Sequence, residues 1–350
     1  MSHHYDIDGR IRIRSAVRLR ELEFFKVPVV RDPHLIVRVG RASTWPRLQT
    51  TTHRLNGSVV HKEQLGLLGA DFDIHLGHPI EVTANPLLAA SPHVLYTNVV
   101  EALLRFLFVA EGFVLLHCAT VVVDGRALVL SAQTDTGKTT TVLRLIARHG
   151  VGFIADDMTI LDPDGRAHRY PKPMTMSFHT FQAFDWELSR TAHAKLAIQS
   201  RVHSKSGRTV GHGLAKLPIP IMAINAVTQA AVPPPKFHIS DLLPVDIVES
   251  APISDVVFME RGEEMEAPVE RDVAMDMLLH NTDDAYTFPP YSRIAPFIEV
   301  GGMDHEALLR RERELLASAL QHADIHLIRL TDRSWADRLP TVMARPIPTS

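Results

Sequence analysis

One short segment, Val129 to Ile146, constrains the fold of this chain most strongly. It reads VLSAQTDTGKTTTVLRLI, an apolar strand pattern followed by a turn and an amphipathic helix pattern. Its centre matches the end of the phosphate-loop pattern G-x-x-x-x-G-K-[ST] at Gly137, Lys138 and Thr139. Amides at a helix start donate to phosphate, a lysine adds positive charge and a threonine hydroxyl binds Mg²⁺. The segment therefore predicts a strand–turn–helix unit that binds a nucleotide.

Two aspartates and a histidine are expected near this turn. Asp156 and Asp157 close the apolar run GFIADD, which would place two carboxylates where a metal ion and an acceptor hydroxyl need them. His117, in LLHCAT, precedes the turn by one predicted hairpin and would orient a carboxylate or shuttle protons. Each has a structural alternative, because strand-end aspartates are commonly solvated and a histidine in an apolar strand is commonly a core residue.

The pattern along the chain predicts an α/β fold with a mixed sheet. Residues 1–92 are expected to be strand-rich, since RIRIRSAVRLR and HLIVRVG alternate polar with apolar residues. A helix is predicted over 93–111, then a hairpin turning at DGR, and later the amphipathic helix DHEALLRRERELLASALQHA and the strand DIHLIRL. We therefore expect a strand-rich substrate or accessory domain over 1–92 and a nucleotide-binding domain over 93–350.

Composition narrows the function classes. The 350 residues are 45% hydrophobic with a formal net charge of −3, which favours a globular protein and points to neither nucleic acid nor a membrane as partner. The run VVEALLRFLFVAEGFVLL contains three charged residues and predicts a buried helix and strand, not a membrane span. The single cysteine excludes an intrachain disulfide and fits a cytoplasmic location. A homo-oligomer is compatible with this sequence.

The stretch LLHCATVVVDGRALVLSAQTDTGKTTTVLRLIARHGVGFIADD resembles the core of the HPr kinase/phosphorylase family. That family shares its nucleotide-binding fold with ATP-dependent phosphoenolpyruvate carboxykinase. It has a histidine-bearing strand, a turn, a second strand, the loop G-x-S-G-x-G-K-[ST], a helix, a glycine and a strand ending in two aspartates. The resemblance covers about residues 112–177. It implies a kinase-like core in which Lys138 binds phosphate, Thr139 binds Mg²⁺ and Asp157 is the general base, supported by Asp156 and His117.

The loop also departs from that family. Ala132 and Asp135 stand where the family has glycine. A carboxylate in a phosphate-binding loop repels the ligand unless a cation neutralises it. A second hypothesis is therefore a non-catalytic nucleotide-binding sensor or scaffold protein with a degenerate phosphate loop.

A basic segment supplies a further candidate cation. Residues 199–217, QSRVHSKSGRTVGHGLAKL, are polar and rich in small residues, which predicts a mobile loop. Phosphoryl transfer needs extra cations to stabilise the negative charge on the moving group, and a loop that closes over the site would provide them. Arg208, after Ser206 and Gly207, is the best candidate, and a solvated linker is the alternative.

Together these features predict an ATP- and Mg²⁺-dependent phosphotransferase with a hydroxyl acceptor, either a serine of a protein or peptide or a small alcohol. The predicted residues form three groups. The nucleotide is expected at Thr136, Gly137, Lys138, Thr139, Thr140 and Arg208, the metal at Thr139 and Asp156, and catalysis at Asp157, His117 and Asp156.

Overall fold

The computed structural model describes residues 2–41, 50–55, 57–65, 68–133, 136–175, 220–231, 233, 236–286, 290–332 and 334–343. The chain divides into two compact units. The first contains Met1–Glu111, Thr175–Lys236 and Tyr286–Leu309, and the second contains Gly112–Met174, Phe237–Ala285 and Arg310–Ser350. Each unit is therefore assembled from three separate segments of the chain.

The first unit is built on a mixed nine-stranded sheet. Its path runs β3-β1-β2-β4-β9-β8-β6-β5, with β7 paired to β6. The pairs β2–β4 and β4–β9 are parallel and the others are antiparallel. The strands are β1 (His3–Ile7), β2 (Ile11–Ser15), β3 (Lys26–Val27), β4 (Leu35–Val39), β5 (Thr50–Leu55), β6 (Ser58–Leu65), β7 (Leu68–Gly69), β8 (Phe72–His75) and β9 (Ile80–Ala84).

The alternating N-terminal segment forms a strand, but a shorter one than the alternation predicts. Ile11 and Ile13 are buried while Arg14 is exposed, as the two-residue period requires. The strand ends at Ser15, whose Oγ donates to the Val17 carbonyl at 2.6 Å and accepts from the Val17 amide at 3.0 Å. This local side-chain bonding replaces the strand ladder, and a 3₁₀ helix follows at Arg20–Phe25.

The α-helices of the described residues all follow the nine strands of the first sheet in the chain. The helical run α2 includes a π turn at Tyr96–Val100. It is the one segment of the described residues that is long and apolar enough to cross a membrane, and 78% of its apolar window is buried inside the protein. The helices are α1 (Pro86–Ala89), α2 (Pro92–Ala110), α3 (Lys138–His149), α4 (Ile221–Ala231), α5 (Ile239–Leu242), α6 (Arg271–Ala285), α7 (Tyr291–Ile294), α8 (His305–Ala319) and α9 (Trp335–Met343).

The second unit also contains a mixed nine-stranded sheet, so the prediction of a mixed α/β protein is confirmed. Its path runs β10-β14-β15-β18-β12-β11-β13, and β22 pairs with both β18 and β19. The strands from this part of the chain onward are β10 (Val114–Leu116), β11 (Ala119–Val123), β12 (Arg126–Ser131), β13 (Gly152–Ala155), β14 (Thr159–Leu161), β15 (Arg166–His168), β16 (Met174–Thr175), β17 (Lys236–Phe237), β18 (Ser250–Arg261), β19 (Met265–Pro268), β20 (Glu299–Val300), β21 (Met303–Asp304) and β22 (Asp324–Leu330).

The strand–turn–helix prediction around β12 is confirmed. The β11–β12 hairpin turns at Asp124 and Gly125, whose φ angles of 49° and 77° fit the two-residue turns that match strand twist. Helix α3 buries Val142, Leu143 and Ile146 on one face. It ends at Gly150, which adopts the left-handed conformation at φ 62°.

Candidate functional site

The strand directions of the second unit bring the predicted site residues to one edge of its sheet. Strand β11 is antiparallel to both β12 and β13, so β12 and β13 run in the same direction. Their carboxyl ends and the start of β11 therefore lie at the same edge. The phosphate-loop candidate follows β12, Asp156 follows β13, and His117 precedes β11 by two residues.

The turn after β12 leads into the amino terminus of α3. Gly137 precedes the helix at φ 124°, a conformation that favours glycine, and its carbonyl accepts from the amide of Thr141 at 2.9 Å. Thr136 is buried, and its amide donates to the Gln133 carbonyl at 3.3 Å. The first amides of a helix of this length have no partner within the helix and attract anions. The turn thus directs a positive helix end towards the edge that carries the aspartates.

Asp156 is buried beneath this helix start. The Thr139 hydroxyl donates to Asp156 Oδ2 at 2.9 Å, and the aspartate is only 7% exposed. Its other oxygen, Oδ1, is buried and has no hydrogen-bond partner among the described residues. Burial and the negative charge of Asp157 raise the pKa of Asp156 to about 6, against the opposing effect of the Thr139 hydrogen bond. A buried carboxylate oxygen without a hydrogen-bond partner is energetically unfavourable, and a cation bound beside it would remove that cost.

Asp157 lies in a different environment. Its side chain is 51% exposed, with Oδ2 at 2.8 Å from Lys172 Nζ and Oδ1 at 3.5 Å from His117 Nε2. Desolvation acts to raise the pKa of Asp157, but the positive charge of Lys172 and the His117 imidazole beside Oδ1 hold it well below its ordinary value. Adjacent carboxylates therefore differ, since Asp156 is enclosed and Asp157 is charged and accessible.

His117 is fixed by backbone and side-chain contacts. Its Nδ1 lies 2.9 Å from the Asn281 carbonyl, and its amide donates to Thr282 Oγ1 at 3.2 Å. Its Nε2 lies 3.3 Å from Lys138 Nζ. A carbonyl accepts and an ammonium donates, so the tautomer that satisfies both contacts carries its proton on Nδ1. His117 therefore joins the loop lysine to the aspartate pair.

The structure brings most of the predicted residues together. His117 contacts both Lys138 and Asp157, and Thr139 contacts Asp156. The two groups are adjacent because Lys138 precedes Thr139 and Asp156 precedes Asp157 in the chain. Thr136 and Gly137 lie in the turn, and Thr140 lies in the first turn of α3 with intermediate exposure. Asp135, Arg208 and the predicted loop over 199–217 lie outside the described residues.

Sequence reasoning missed several residues that complete this set. Lys172 is buried against Asp157, and Asn281 Nδ2 donates to Ser131 Oγ at 3.0 Å where β12 ends. Thr282 holds the amide of His117. The signal for Lys172 is weak, a lysine between two prolines in YPKP, and nothing local distinguishes HNTDD as part of a site.

The site offers few ligands for a metal that requires an all-protein cage. No group of three or more His, Cys, Asp or Glu side chains in the described ranges is placed to hold a metal ion. Mg²⁺ instead takes one or two protein oxygens together with phosphate and water oxygens. The Thr139 hydroxyl and the Asp156 carboxylate fit that second pattern.

Comparison with known proteins adds no family assignment to this geometry. No protein-family model matches the chain, and neither does any curated protein.

Proposed function

We propose that this protein is an ATP-dependent phosphotransferase with a kinase-like core of the HPr kinase type, acting on a hydroxyl acceptor. The observation that carries the proposal is the convergence of five side chains at one sheet edge, where His117 contacts Lys138 and Asp157 and Thr139 contacts Asp156. A lone G-K-T sequence is common, but these five side chains come from three separate places in the sequence. Their meeting is what phosphoryl transfer to a hydroxyl requires.

The residues present fit a Mg–nucleotide complex. The amide-rich start of α3 and the absent side chain of Gly137 suit a polyphosphate that approaches the backbone closely. Thr139 and Asp156 are hard oxygen donors, and the unpartnered Asp156 Oδ1 gives a buried negative charge for a divalent ion to neutralise. When bound, Mg²⁺ would supply charge that stabilises the phosphate oxygens during transfer.

The roles of the chain's own residues follow from their positions. Lys138 places its ammonium group at the helix start, where it would leave His117 to contact the β- and γ-phosphates. Asp157 is the accessible carboxylate and would accept the acceptor's hydroxyl proton. In the transfer, the hydroxyl oxygen bonds to the γ-phosphorus as the bond from that phosphorus to its bridging oxygen breaks, giving a phosphorylated acceptor and ADP. His117 would orient Asp157 once Lys138 has turned to phosphate and Nε2, which lies 3.5 Å from Asp157 Oδ1, carries a proton.

The proposed phosphate acceptor is a hydroxyl compound, either a serine of a protein or peptide or a small alcohol. The 51% exposure of the Asp157 side chain supports an acceptor that reaches the base from solvent. The resemblance to the HPr kinase family favours the serine. We include a cytoplasmic location in the proposal, since the lone Cys118 is a buried free thiol.

A second candidate is a nucleotide-binding sensor or scaffold protein without catalysis. Ala132, which replaces the first glycine of the loop, is 3% exposed, so its methyl group is packed within the protein. A loop that is held by packing would bind nucleotide in a fixed geometry unsuited to transfer. Such a protein would bind Mg-ATP and leave every acceptor unlabelled.

The test is mass spectrometry of peptide libraries and cell extracts incubated with the protein and Mg-ATP. The proposal predicts acceptors that gain a phosphoryl group with the wild type and not with Asp157→Asn. Asp164→Asn, an exposed aspartate in the β14–β15 turn, is the matched control and should label as the wild type does. Labelling that survives in Asp157→Asn would remove the proposed base, and binding without any labelling would favour the sensor.

A further inference from the structure

Lys172 is a buried cation that lies directly beside the proposed base. Its side chain is 7% exposed, and Nζ donates to Asp157 Oδ2 at 2.8 Å. Surface ion pairs contribute little, because both partners are solvated and mobile. A buried ammonium is different, since folding has already removed it from water and it requires a charged partner.

The backbone around Lys172 holds it in place. Pro171 and Pro173 flank it and restrict the chain on both sides. The Lys172 amide donates to the Tyr170 carbonyl at 2.8 Å, and the Tyr170 amide donates to the Ile154 carbonyl at 3.1 Å. Ile154 belongs to β13, the strand that ends at the aspartate pair. The lysine is therefore anchored to the same strand that presents Asp157, so their separation is set by the fold.

The two oxygen atoms of Asp157 have different neighbours. Lys172 holds Oδ2, whereas Oδ1 faces His117 Nε2 at 3.5 Å. A carboxylate held at one oxygen by a fixed cation keeps its second oxygen directed towards the side from which the acceptor hydroxyl would approach. It also stays ionised while a polyanionic substrate is nearby, because the buried charge of Lys172 offsets the added negative charge.

We propose that Lys172 is a positioning residue, which acts through Asp157 to orient that carboxylate for the acceptor hydroxyl. The inference rests on the proposed function. It deepens that function by adding a residue that contacts neither the nucleotide nor the acceptor. Loss of Lys172 should therefore lower the rate of transfer and leave nucleotide binding intact.

The test compares Lys172→Met, Lys172→Arg, Asp157→Asn and the double variant Lys172→Met/Asp157→Asn. Release of labelled phosphate from Mg-ATP gives kcat and KM, with water as acceptor, and thermal stability with and without Mg-ATP reports binding. We expect Lys172→Met to lower kcat about 10²-fold, within the range of a general base, with KM for ATP changed less than about threefold. Lys172→Arg should recover to within about tenfold of the wild type, because it restores the positive charge.

The double variant separates positioning from a general structural role. If Lys172 acts through Asp157, removing it should cost nothing more once Asp157 is already asparagine, so the two losses are not additive. Losses that multiply in the double variant would overturn the inference, as would a Lys172→Met enzyme that turns over like the wild type. Should Lys172→Met not fold, Lys172→Gln, which keeps a donor without charge, carries the same comparison.

The same experiment distinguishes failure of this inference from failure of the proposed function. A wild type that is neither stabilised by Mg-ATP nor able to turn it over would overturn both. A wild type that turns over ATP with Lys172 variants unimpaired would overturn the role of Lys172 alone.

Discussion

Replacing Asp156 with asparagine isolates the energetic cost of a buried carboxylate at the site. Asparagine has nearly the same shape and keeps an oxygen that accepts from Thr139, but it carries no charge. Burial and the charge of Asp157 raise the pKa of Asp156 from 3.8 to about 6. Each unit of difference between folded and unfolded pKa corresponds to about 1.4 kcal/mol. The ionised form of Asp156 therefore costs the folded protein about 3 kcal/mol at high pH.

The direction of the pH dependence follows from the raised pKa. Folding favours the protonated form of Asp156. Its contribution to the stability of the folded protein is therefore fully present below about pH 3.8 and is lost as the pH rises through about 6. Asparagine does not titrate, so the Asp156→Asn variant loses no stability from this source over that pH range. The free energy of unfolding of Asp156→Asn, relative to the wild type, should thus increase by about 2–3 kcal/mol between pH 4 and pH 8.

Urea denaturation at several pH values measures this difference. The exposed Asp164→Asn variant controls for replacing a carboxylate in the same unit. Its free energy of unfolding should differ little from the wild type at every pH. Parallel pH profiles for Asp156→Asn and the wild type would refute the reasoning, since they would show that Asp156 ionises in the folded protein without penalty.

Three other substitutions test the packing and the backbone conformation of the second unit. Trp335→Ala should destabilise the second unit by about 3–5 kcal/mol in denaturant unfolding, because the ring is fully buried. Trp335→Phe should lose much less stability, and an equal loss in the two variants would contradict this prediction. Thr282→Val should lower the free energy of unfolding by about 1–3 kcal/mol, because it leaves the buried His117 amide without its acceptor. Thr282→Ser should keep the wild-type stability. A valine variant as stable as the wild type would argue against that hydrogen bond. Gly150→Ala should lower the free energy of unfolding by about 1–2 kcal/mol, since the left-handed φ of 62° disfavours a side chain although nothing lies within 4 Å, and Gly150→Asn should lower it less. A neutral Gly150→Ala would mean that α3 can end in another conformation.

The local parts of the fold were predictable from sequence because short-range chemistry determines them. The DGR turn requires two positive φ angles, and Gly150 ends a helix whose apolar spacing is regular. The phosphate-loop candidate could be placed between β12 and α3 for the same reason. The strand predicted through RIRIRSAVRLR was too long, because the strand ends at Ser15, whose hydroxyl bonds to Val17, although burial goes on alternating as far as Arg20.

The contacts that complete the site were not predictable in this way. Asn281 and Thr282 lie 164 and 165 residues from His117 along the chain, and no local pattern links them. Lys172 is 15 residues from Asp157 but lies in a proline-flanked segment without periodicity. Long-range contacts depend on the sheet order, which one sequence pattern does not specify, so the division of each unit into three chain segments was also beyond prediction.

Calorimetric titration of Mg-ATP into the purified protein measures whether the start of α3 binds a nucleotide, on which the proposed function and the role of Lys172 both depend. The matched variants are Lys138→Met at the start of α3 and Arg148→Met near its end, each of which removes one positive charge from the same helix. We expect one Mg²⁺-dependent site in the wild type and in Arg148→Met, and about 10–100-fold weaker binding in Lys138→Met, the loss of a charged hydrogen bond to phosphate. Equal affinity in all three proteins, or no binding to the wild type, would contradict the account.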